Sequence, residues 1–210
     1  MAGIGVVGGT FDPIHIGHLR SAWEVADTLQ LNALQFVPSS VPVHREQPMA
    51  SAEQRLEMVR LSVEHIPNWS VNDCEVCRGG PSYMIDTLTQ LRKQVGDDVP
   101  IWLLLGSDAF EGFVRWHRWQ AILQLVNLAV MVRAGVPPVG CVETQRLLLG
   151  LHLSSSANVG QVQLVPVTVL GVSATQIRQT VSEGHLPHFL VMPAVCQYIQ
   201  QQGLYQRNSK

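Results

Sequence analysis

The sequence predicts an α/β domain built around one doubly wound parallel sheet. Short apolar runs alternate with amphipathic helical segments through most of the 210 residues, a pattern typical of a parallel sheet with helices on both faces. The run Ile101–Leu105 is continuously apolar, as expected of a strand buried on both of its faces. The length and the hydrophobic content of 46% suit one domain with a sizeable core, so residues 1–210 are predicted to form a single domain.

Most of the predicted strands are short apolar runs that end at glycine, proline or polar residues, whereas Trp69–Cys74 and Gln161–Pro166 carry a weaker strand signal. The first run ends at the pair Gly8-Gly9, and the second ends at Pro38. Their alternation with helices predicts a Rossmann-like, doubly wound parallel sheet. The predicted strands are Ile4–Val7, Leu34–Val37, Trp69–Cys74, Ile101–Leu105, Asn127–Val132 and Gln161–Pro166.

The helices are predicted from apolar residues spaced three or four positions apart and from their capping signals. Ser51 and Gln54 form a capping box, and Pro81 is predicted to open the next helix. Trp23 and Trp102 are predicted to lie in the core. The helical segments are Leu19–Leu29, the stripe Leu56, Val59 and Val63, the stripe Met84, Ile85, Leu88, Leu91 and Val95, then Ser173–Val181 and Pro193–Gln202.

Composition excludes several classes of function. A formal net charge of −2 predicts no general attraction to nucleic acid or to an anionic membrane surface. The apolar runs are too short for a transmembrane helix, no signal peptide is evident, and four cysteines are typical of a reduced cytoplasmic protein. The two lysines, Lys93 and Lys210, do not follow glycine, which excludes a P-loop nucleotide site. No feature predicts an oligomeric state.

The segment Gly8–His18 carries the first candidate site. It joins the first strand to a helix, and the unpaired N–H groups of a helix start favour an anion. His15 and His18 are three residues apart and share one face, with Arg20 just beyond. A cation in the first turn of a helix opposes the helix dipole at a cost of about 0.3–1 kcal/mol, which a bound anion would reverse. The segment therefore predicts an anion site.

The segment Ser173–Arg178 carries the second candidate site. Ser173 can cap a helix with Gln176 as its reciprocal partner, which explains both residues without a ligand. Arg178 is not explained in this way, because it is again a cation near a helix start. Two such helix starts predict one polyphosphate held between them, at the carboxyl ends of the parallel strands.

Three further patterns are interpreted as incidental. Gly3–Gly8 fits G-x-G-x-x-G, but its glycines flank the strand instead of following it. Cys74 and Cys77 have no second pair and are predicted not to lie at a strand-to-helix start, which disfavours zinc or redox function. The pair His185 and His188 is interrupted by a proline, which disfavours a metal site.

These motifs resemble those of the nucleotidyltransferase superfamily named for its His-x-Gly-His signature. Within that superfamily the chain is similar, in order from residue 4 to about residue 205, to the bacterial nicotinate-nucleotide adenylyltransferase family. It departs from the family pattern at Ala174, where a serine is common, and at Met84, where a threonine is common. The matching segments are Pro38–Arg45, Pro81–Leu88, Leu104–Asp108, Trp116-His117, Tyr198-Ile199 and Gly203–Tyr205.

The resemblance implies transfer of an adenylyl group from ATP to nicotinate mononucleotide, which yields deamido-NAD and pyrophosphate. It implies Mg²⁺ bound through the ATP phosphates, with no protein metal ligands. His15, His18 and Arg178 would be catalytic. The ATP site would comprise Gly8, Gly9, Thr10, Phe11, His15, His18, Gly106, Asp108, Arg133, Ser173, Thr175 and Arg178. The acceptor site would comprise Ser40, His44, Arg45, Ser82, Tyr83, Met84, Trp116 and His117, with the Trp116 ring as a stacking surface.

Two alternatives stay open at this point. Another adenylyltransferase of the same superfamily would use pantetheine phosphate or nicotinamide mononucleotide, although the segments at Trp116 and Pro81–Leu88 favour a pyridine nucleotide. A non-catalytic nucleotide sensor is a different class of protein, and the presence of both histidines and Arg178 disfavours it.

Overall fold

The computed structural model describes residues 3–43, 47–133, 142–148 and 158–207, in which strands and helices alternate. The strands are β1 (Ile4–Gly9), β2 (Ala33–Pro38), β3 (Val41–Pro42), β4 (Trp69–Val71), β5 (Pro81–Ser82), β6 (Ile101–Gly106), β7 (Asn127–Arg133) and β8 (Val162–Val167). The α-helices are α1 (Ile16–Thr28), α2 (Ala52–Val63), α3 (Cys74–Arg78), α4 (Met84–Val95), α5 (Ser107–Glu111), α6 (Trp119–Leu123), α7 (Val142–Leu148), α8 (Ala174–Ser182) and α9 (Pro193–Gln201).

Six strands form the main sheet, in the order β4-β2-β1-β6-β7-β8. The pairs β1–β6, β6–β7 and β7–β8 are parallel, with Val6 opposite Leu103 and Gly106 opposite Met131. Parallel neighbours need crossover connections, which the helices provide. The predicted α/β fold with a parallel sheet is confirmed.

The chain packs into two compact units, each made of three separate segments. The first unit comprises the described residues within 1–8, 21–35 and 83–168, and the second those within 9–20, 36–82 and 169–210. The elements β1, α1 and β2 run through both units. The single domain remains a prediction.

Two element boundaries differ from the sequence expectation. Pro81 does not open a helix: Pro81–Ser82 is strand β5, paired in parallel with β3, and α4 begins at Met84. The fixed φ of proline suits an extended strand as well as a first helical turn, so the residue alone does not distinguish the two. The predicted strand Trp69–Cys74 ends at Val71, and Cys74 instead opens α3.

Trp23 was predicted to be buried but is 46% exposed. The buried stripe of α1 runs through Leu19, Ala22 and Val25 at a spacing of three. Trp23 follows Ala22 by one residue, which places it about 100° around the helix and at the edge of that stripe. Trp102, the other tryptophan predicted in the core, is half-buried on β6.

Arg92 fixes the end of α4 in the first unit. Its side chain is buried and donates hydrogen bonds to three backbone carbonyls, those of Gly96 (2.7 Å), Val99 (2.6 Å) and Leu125 (2.6 Å). These acceptors follow the helix or belong to the chain before β7. One buried side chain therefore joins two stretches of backbone through their carbonyls.

We expect Arg92→Met to lower the free energy of unfolding by about 2–4 kcal/mol, because it removes several hydrogen bonds from one charged, buried donor. Urea unfolding followed by circular dichroism measures the change. Lys93→Met is the matched control, since Lys93 is the exposed neighbour in the same turn. Equal stability of the two variants would contradict a structural role for the Arg92 hydrogen bonds.

Candidate functional site

His15 and His18 form a stacked pair at the start of α1. Their ring centroids are 3.7 Å apart, and the ring planes are inclined by 24°. The backbone N–H of His15 donates to Nδ1 of His18 at 3.2 Å. An accepting Nδ1 carries no proton, so the neutral His18 ring carries its proton on Nε2 and presents a donor there. The predicted pair is thus brought together in the second unit.

Burial of His15 decides its protonation state. His15 is 8% exposed, and burial lowers its pKa to about 4. Its Nδ1 is buried without a hydrogen-bond partner among the described residues. The expectation that His15 is a cation opposing the helix dipole is wrong, because burial disfavours the charged ring. His15 can bind an anion as a neutral hydrogen-bond donor.

Two glycines allow the aromatic rings to pack so closely. A Cβ at Gly17 would lie 3.0 Å from Nδ1 of His15, and a Cβ at Gly9 would lie 2.8 Å from the Phe11 ring. The Phe11 ring meets His18 edge-on with a centroid distance of 5.3 Å. The glycine in His-x-Gly-His is therefore the residue against which the first histidine ring lies.

Arg178 hydrogen-bonds to the loop that precedes the histidines. Its Nη1 donates to the backbone carbonyl of Asp12 at 2.7 Å, and its Nη2 donates to Oγ1 of Thr175 at 3.3 Å. Ser173 caps α8 by accepting from the N–H of Gln176, as predicted, and α8 has no acidic residue in its first turn. The predicted set of His15, His18 and Arg178 therefore lies on or beside one stretch of chain, the loop of residues 10–15 and the first turn of α1.

Arg55 organises the same loop and was missed by the sequence analysis. Its side chain is 1% exposed and donates to the carbonyls of Thr10 (2.7 Å), Ser40 (2.8 Å) and Ala50 (3.3 Å). The sequence does contain a signal for this role: Arg55 lies four residues before Val59 and so shares the buried side of α2. A charged residue on a buried stripe needs several partners.

Ser40 and Ser82 are also brought together in the second unit. The N–H of Ser40 donates to Oγ of Ser82 at 2.8 Å, beside the short pair of β3 and β5. His44 and Arg45 lie outside the described residues.

The first unit holds the remaining acceptor residues. The rings of Tyr83 and His117 are in contact, with centroids 4.7 Å apart. The half-buried Trp116 packs against Phe113, with centroids 5.6 Å apart. The methyl end of Met84 lies over Gly8, where a Cβ would approach it to 2.4 Å.

The three predicted adenosine residues follow strands of the first unit. Gly106 ends β6 and caps α5, Asp108 lies exposed in the first turn of α5, and Arg133 ends β7 and is exposed. A Cβ at Gly106 would meet nothing within 4 Å, so space is open there. Because β6 and β7 are parallel neighbours, these residues lie at the same edge of the sheet.

The Cys74–Cys77 pair requires a correction. Cys74 does open a helix shortly after β4, so the context that the sequence argument denied is present. The carboxylate of Asp73 raises the pKa of the Cys77 thiol, whereas a redox-active thiol needs a lowered pKa. Within the described ranges, no group of three or more His, Cys, Asp or Glu residues could hold a metal ion. Nor does any helix there have the length and apolar character of a membrane span.

Comparison with known proteins identifies the family. The sequence profile of the cytidylyltransferase-like family matches residues 6–180. A protein of Cellvibrio japonicus named "probable nicotinate-nucleotide adenylyltransferase" is 42% identical, over 96% of this chain and 98% of its own length. A protein of the same name from Pseudomonas fluorescens is 44% identical, over 96% of each chain.

Solved structures agree at the level of the fold. The nicotinic acid mononucleotide adenylyltransferase of Plasmodium falciparum, solved in complex with NaAD, superposes with a TM-score of 0.73. It covers 98% of both chains at 14% sequence identity, which supports the fold alone. The chain is a nucleotidyltransferase of the cytidylyltransferase-like family. Within that family it belongs with the nicotinate-nucleotide adenylyltransferases.

The lowered pKa of His15 makes the stability of the protein depend on pH. The ring takes up a proton near pH 6.5 in the unfolded chain but only near pH 4 in the folded protein. The unfolded state therefore binds more protons between these values, and this contribution to stability, complete above pH 6.5, is lost as the pH falls toward 4. We expect a loss of about 2–3 kcal/mol from this group, which His15→Gln should remove.

Urea unfolding at a series of pH values measures this slope. His65→Gln is the matched control, because the His65 side chain is 86% exposed. If His15→Gln and the wild-type protein lost stability equally between pH 6.5 and 4, a buried neutral His15 would be contradicted.

Proposed function

We propose that this chain transfers the adenylyl group of ATP to the 5′-phosphate of nicotinate mononucleotide, forming deamido-NAD and releasing pyrophosphate. The observation that carries the proposal is the stacked His15–His18 pair, with Arg178 hydrogen-bonded to the loop before it. The chain is also more than 40% identical to proteins named "probable nicotinate-nucleotide adenylyltransferase". The two units are proposed to act as one nucleotidyltransferase domain, since three elements run through both.

The reaction is a direct in-line displacement. An oxygen of the mononucleotide phosphate attacks the α-phosphorus of ATP, the new P–O bond forms, and the bond to the β-phosphate oxygen breaks with its electrons leaving on pyrophosphate. Such transfers need positioning and charge stabilisation more than a protein nucleophile. N–H donors are therefore the groups that matter in the site.

The second unit supplies donors for the ATP phosphates. We assign His15 and His18 to the α- and β-phosphates, with Nε2–H of His18 as one donor. Arg178, Ser173 and Thr175 are assigned to the β- and γ-phosphates. Backbone contacts are assigned to Gly8 and Gly9 at the end of β1, of which Gly8 belongs to the first unit, and to Thr10 and Phe11, which follow the strand. These groups are N–H and O–H donors, so they complement phosphate oxygens. We propose that Mg²⁺ enters the site bound to the phosphates of ATP.

The nucleosides are assigned to other residues. Gly106, Asp108 and Arg133 are proposed to bind adenosine, with the open space at Gly106 and an acceptor on Asp108 for the ribose. The acceptor mononucleotide is assigned to Ser40, His44, Arg45, Ser82, Tyr83, Met84, Trp116 and His117. Trp116 would stack on the pyridine ring.

We expect His18→Ala to lower turnover by about 100- to 1,000-fold, the effect of losing one donor to developing charge, while the fold is retained. Pyrophosphate release from Mg–ATP and nicotinate mononucleotide measures turnover. His65→Ala is the control histidine, and near-normal turnover of His18→Ala would refute the assignment.

A second experiment tests the acceptor. The start of α4 has no side-chain cap, and its first N–H groups complement a carboxylate. A carboxamide would turn its NH₂ toward these donors, and an unpaired buried group costs about 1–3 kcal/mol. We expect kcat/KM for nicotinate mononucleotide to exceed that for nicotinamide mononucleotide by about tenfold or more. Trp116→Ala should weaken the binding of both mononucleotides to a similar extent, because its ring would stack on the pyridine of either one.

The pyrophosphate-release assay is run with each mononucleotide in parallel. A ratio near one, or a preference for the amide, would reject the carboxylate pocket and transfer the assignment to a nicotinamide or dual-specificity enzyme. Release of no pyrophosphate with either mononucleotide would reject the proposed function.

A further inference from the structure

The Asp12 carboxylate lies in the second unit beside Arg178, and the mechanism above gives it no task. Asp12 is 6% exposed. Its Oδ2 accepts from the N–H of Met49 at 2.8 Å, and its Oδ1 accepts from the N–H of Ala50 at 3.1 Å and from the Tyr205 hydroxyl at 2.8 Å. Tyr205 is 5% exposed and reaches Asp12 from the far end of the chain.

Arg178 approaches this carboxylate without forming a direct hydrogen bond to it. Its Nη1 is 3.9 Å from Oδ2 of Asp12, but the same nitrogen donates to the Asp12 backbone carbonyl at 2.7 Å. A guanidinium and a carboxylate usually pair through two parallel hydrogen bonds. Here the carboxylate instead faces three other donors.

We propose that Tyr205 is a positioning residue: its hydroxyl holds the Asp12 carboxylate out of a two-pronged pair with Arg178, so that the guanidinium is available to the ATP phosphates. This inference rests on the proposed function of Arg178. Tyr205 acts through Asp12 and Arg178, and it is not assigned a contact with substrate.

The chemistry favours this arrangement. Burial and the neighbouring Asp12 raise the pKa of Tyr205, so its hydroxyl keeps its proton and donates at all working pH values. The charge of Arg55 is also close enough to interact with Asp12, but its N–H groups donate to three carbonyls. Without the Tyr205 hydroxyl, Arg178 is the nearby cation toward which the under-bonded carboxylate turns.

Tyr205→Phe removes only the hydroxyl and keeps the buried ring. We expect the dissociation constant of Mg–ATP, measured by calorimetry on the full chain, to rise about tenfold, the effect of weakening one hydrogen bond between charged groups. The KM for ATP should rise in parallel, while kcat at saturating ATP should fall by less than about threefold. Tyr198→Phe, a tyrosine of α9 in the same C-terminal segment, is the matched control and should bind ATP like the wild type.

A double-mutant cycle separates this role from a merely structural one. In an Arg178→Ala background, Tyr205→Phe should change ATP affinity by less than about twofold, because the residue through which it acts is gone. If the two effects multiply, or if Tyr205→Phe alone leaves ATP affinity unchanged, the proposal is overturned. Thermal unfolding of each variant is recorded. The ATP titrations are repeated at low temperature, where the difference in ATP affinity between Tyr205→Phe and the wild type must persist.

The titration is independent of the acceptor. Wild-type protein that binds Mg–ATP but releases no pyrophosphate with either mononucleotide would refute the proposed reaction, and the cycle would still decide the role of Tyr205. Wild-type protein that turns over normally while Tyr205→Phe binds ATP unchanged would refute only the role of Tyr205.

Discussion

The negative charge buried at Asp12 is the constraint on which the second unit depends. A buried carboxylate must be hydrogen-bonded. Here the donors are the backbone N–H groups of Met49 and Ala50 and the hydroxyl of Tyr205. The backbone carbonyl of Asp12 holds Arg178. One residue thus fixes three distant stretches of chain around the loop that leads into the histidine pair. Because backbone and phenol groups satisfy the carboxylate, the nearby guanidinium groups are left to act on other partners.

Burial decides how the histidines can act. An exposed pair of histidines would gain charge as the pH falls and would repel each other when stacked at 3.7 Å. Burial keeps His15 neutral, and the backbone N–H of His15 selects the tautomer of His18. A neutral pair can stack, and it still offers donors to a phosphate. The glycine between them follows from the same packing, because a Cβ would enter the space of the His15 ring.

The sequence predicts the parallel sheet because its central strands are continuous apolar runs. It singles out His15, His18 and Arg178 as cations at helix starts, a premise that burial contradicts for His15, although all three side chains do lie on or beside one stretch of chain. It fails where a local signal has two meanings. Pro81 suits a strand as well as a helix start, and Trp23 lies one position away from a buried stripe. It also fails where the partner is remote: the contact between Tyr205 and Asp12 joins residues 193 positions apart, and no local pattern specifies such a pair.

The two arginines beside Asp12 differ in function because their N–H groups have different partners. Arg55 is buried and donates to three carbonyls, so its charge acts only at a distance and its hydrogen bonds fix backbone. The Arg178 side chain is 26% exposed and donates to one carbonyl and one hydroxyl, which leaves part of its planar fork for a bidentate contact. In a chain with a net charge of −2, attraction of a polyanion must come from such local placement. The partly exposed guanidinium is therefore the one to which we assign the phosphate contact, and the buried one holds backbone of the loop before the histidines.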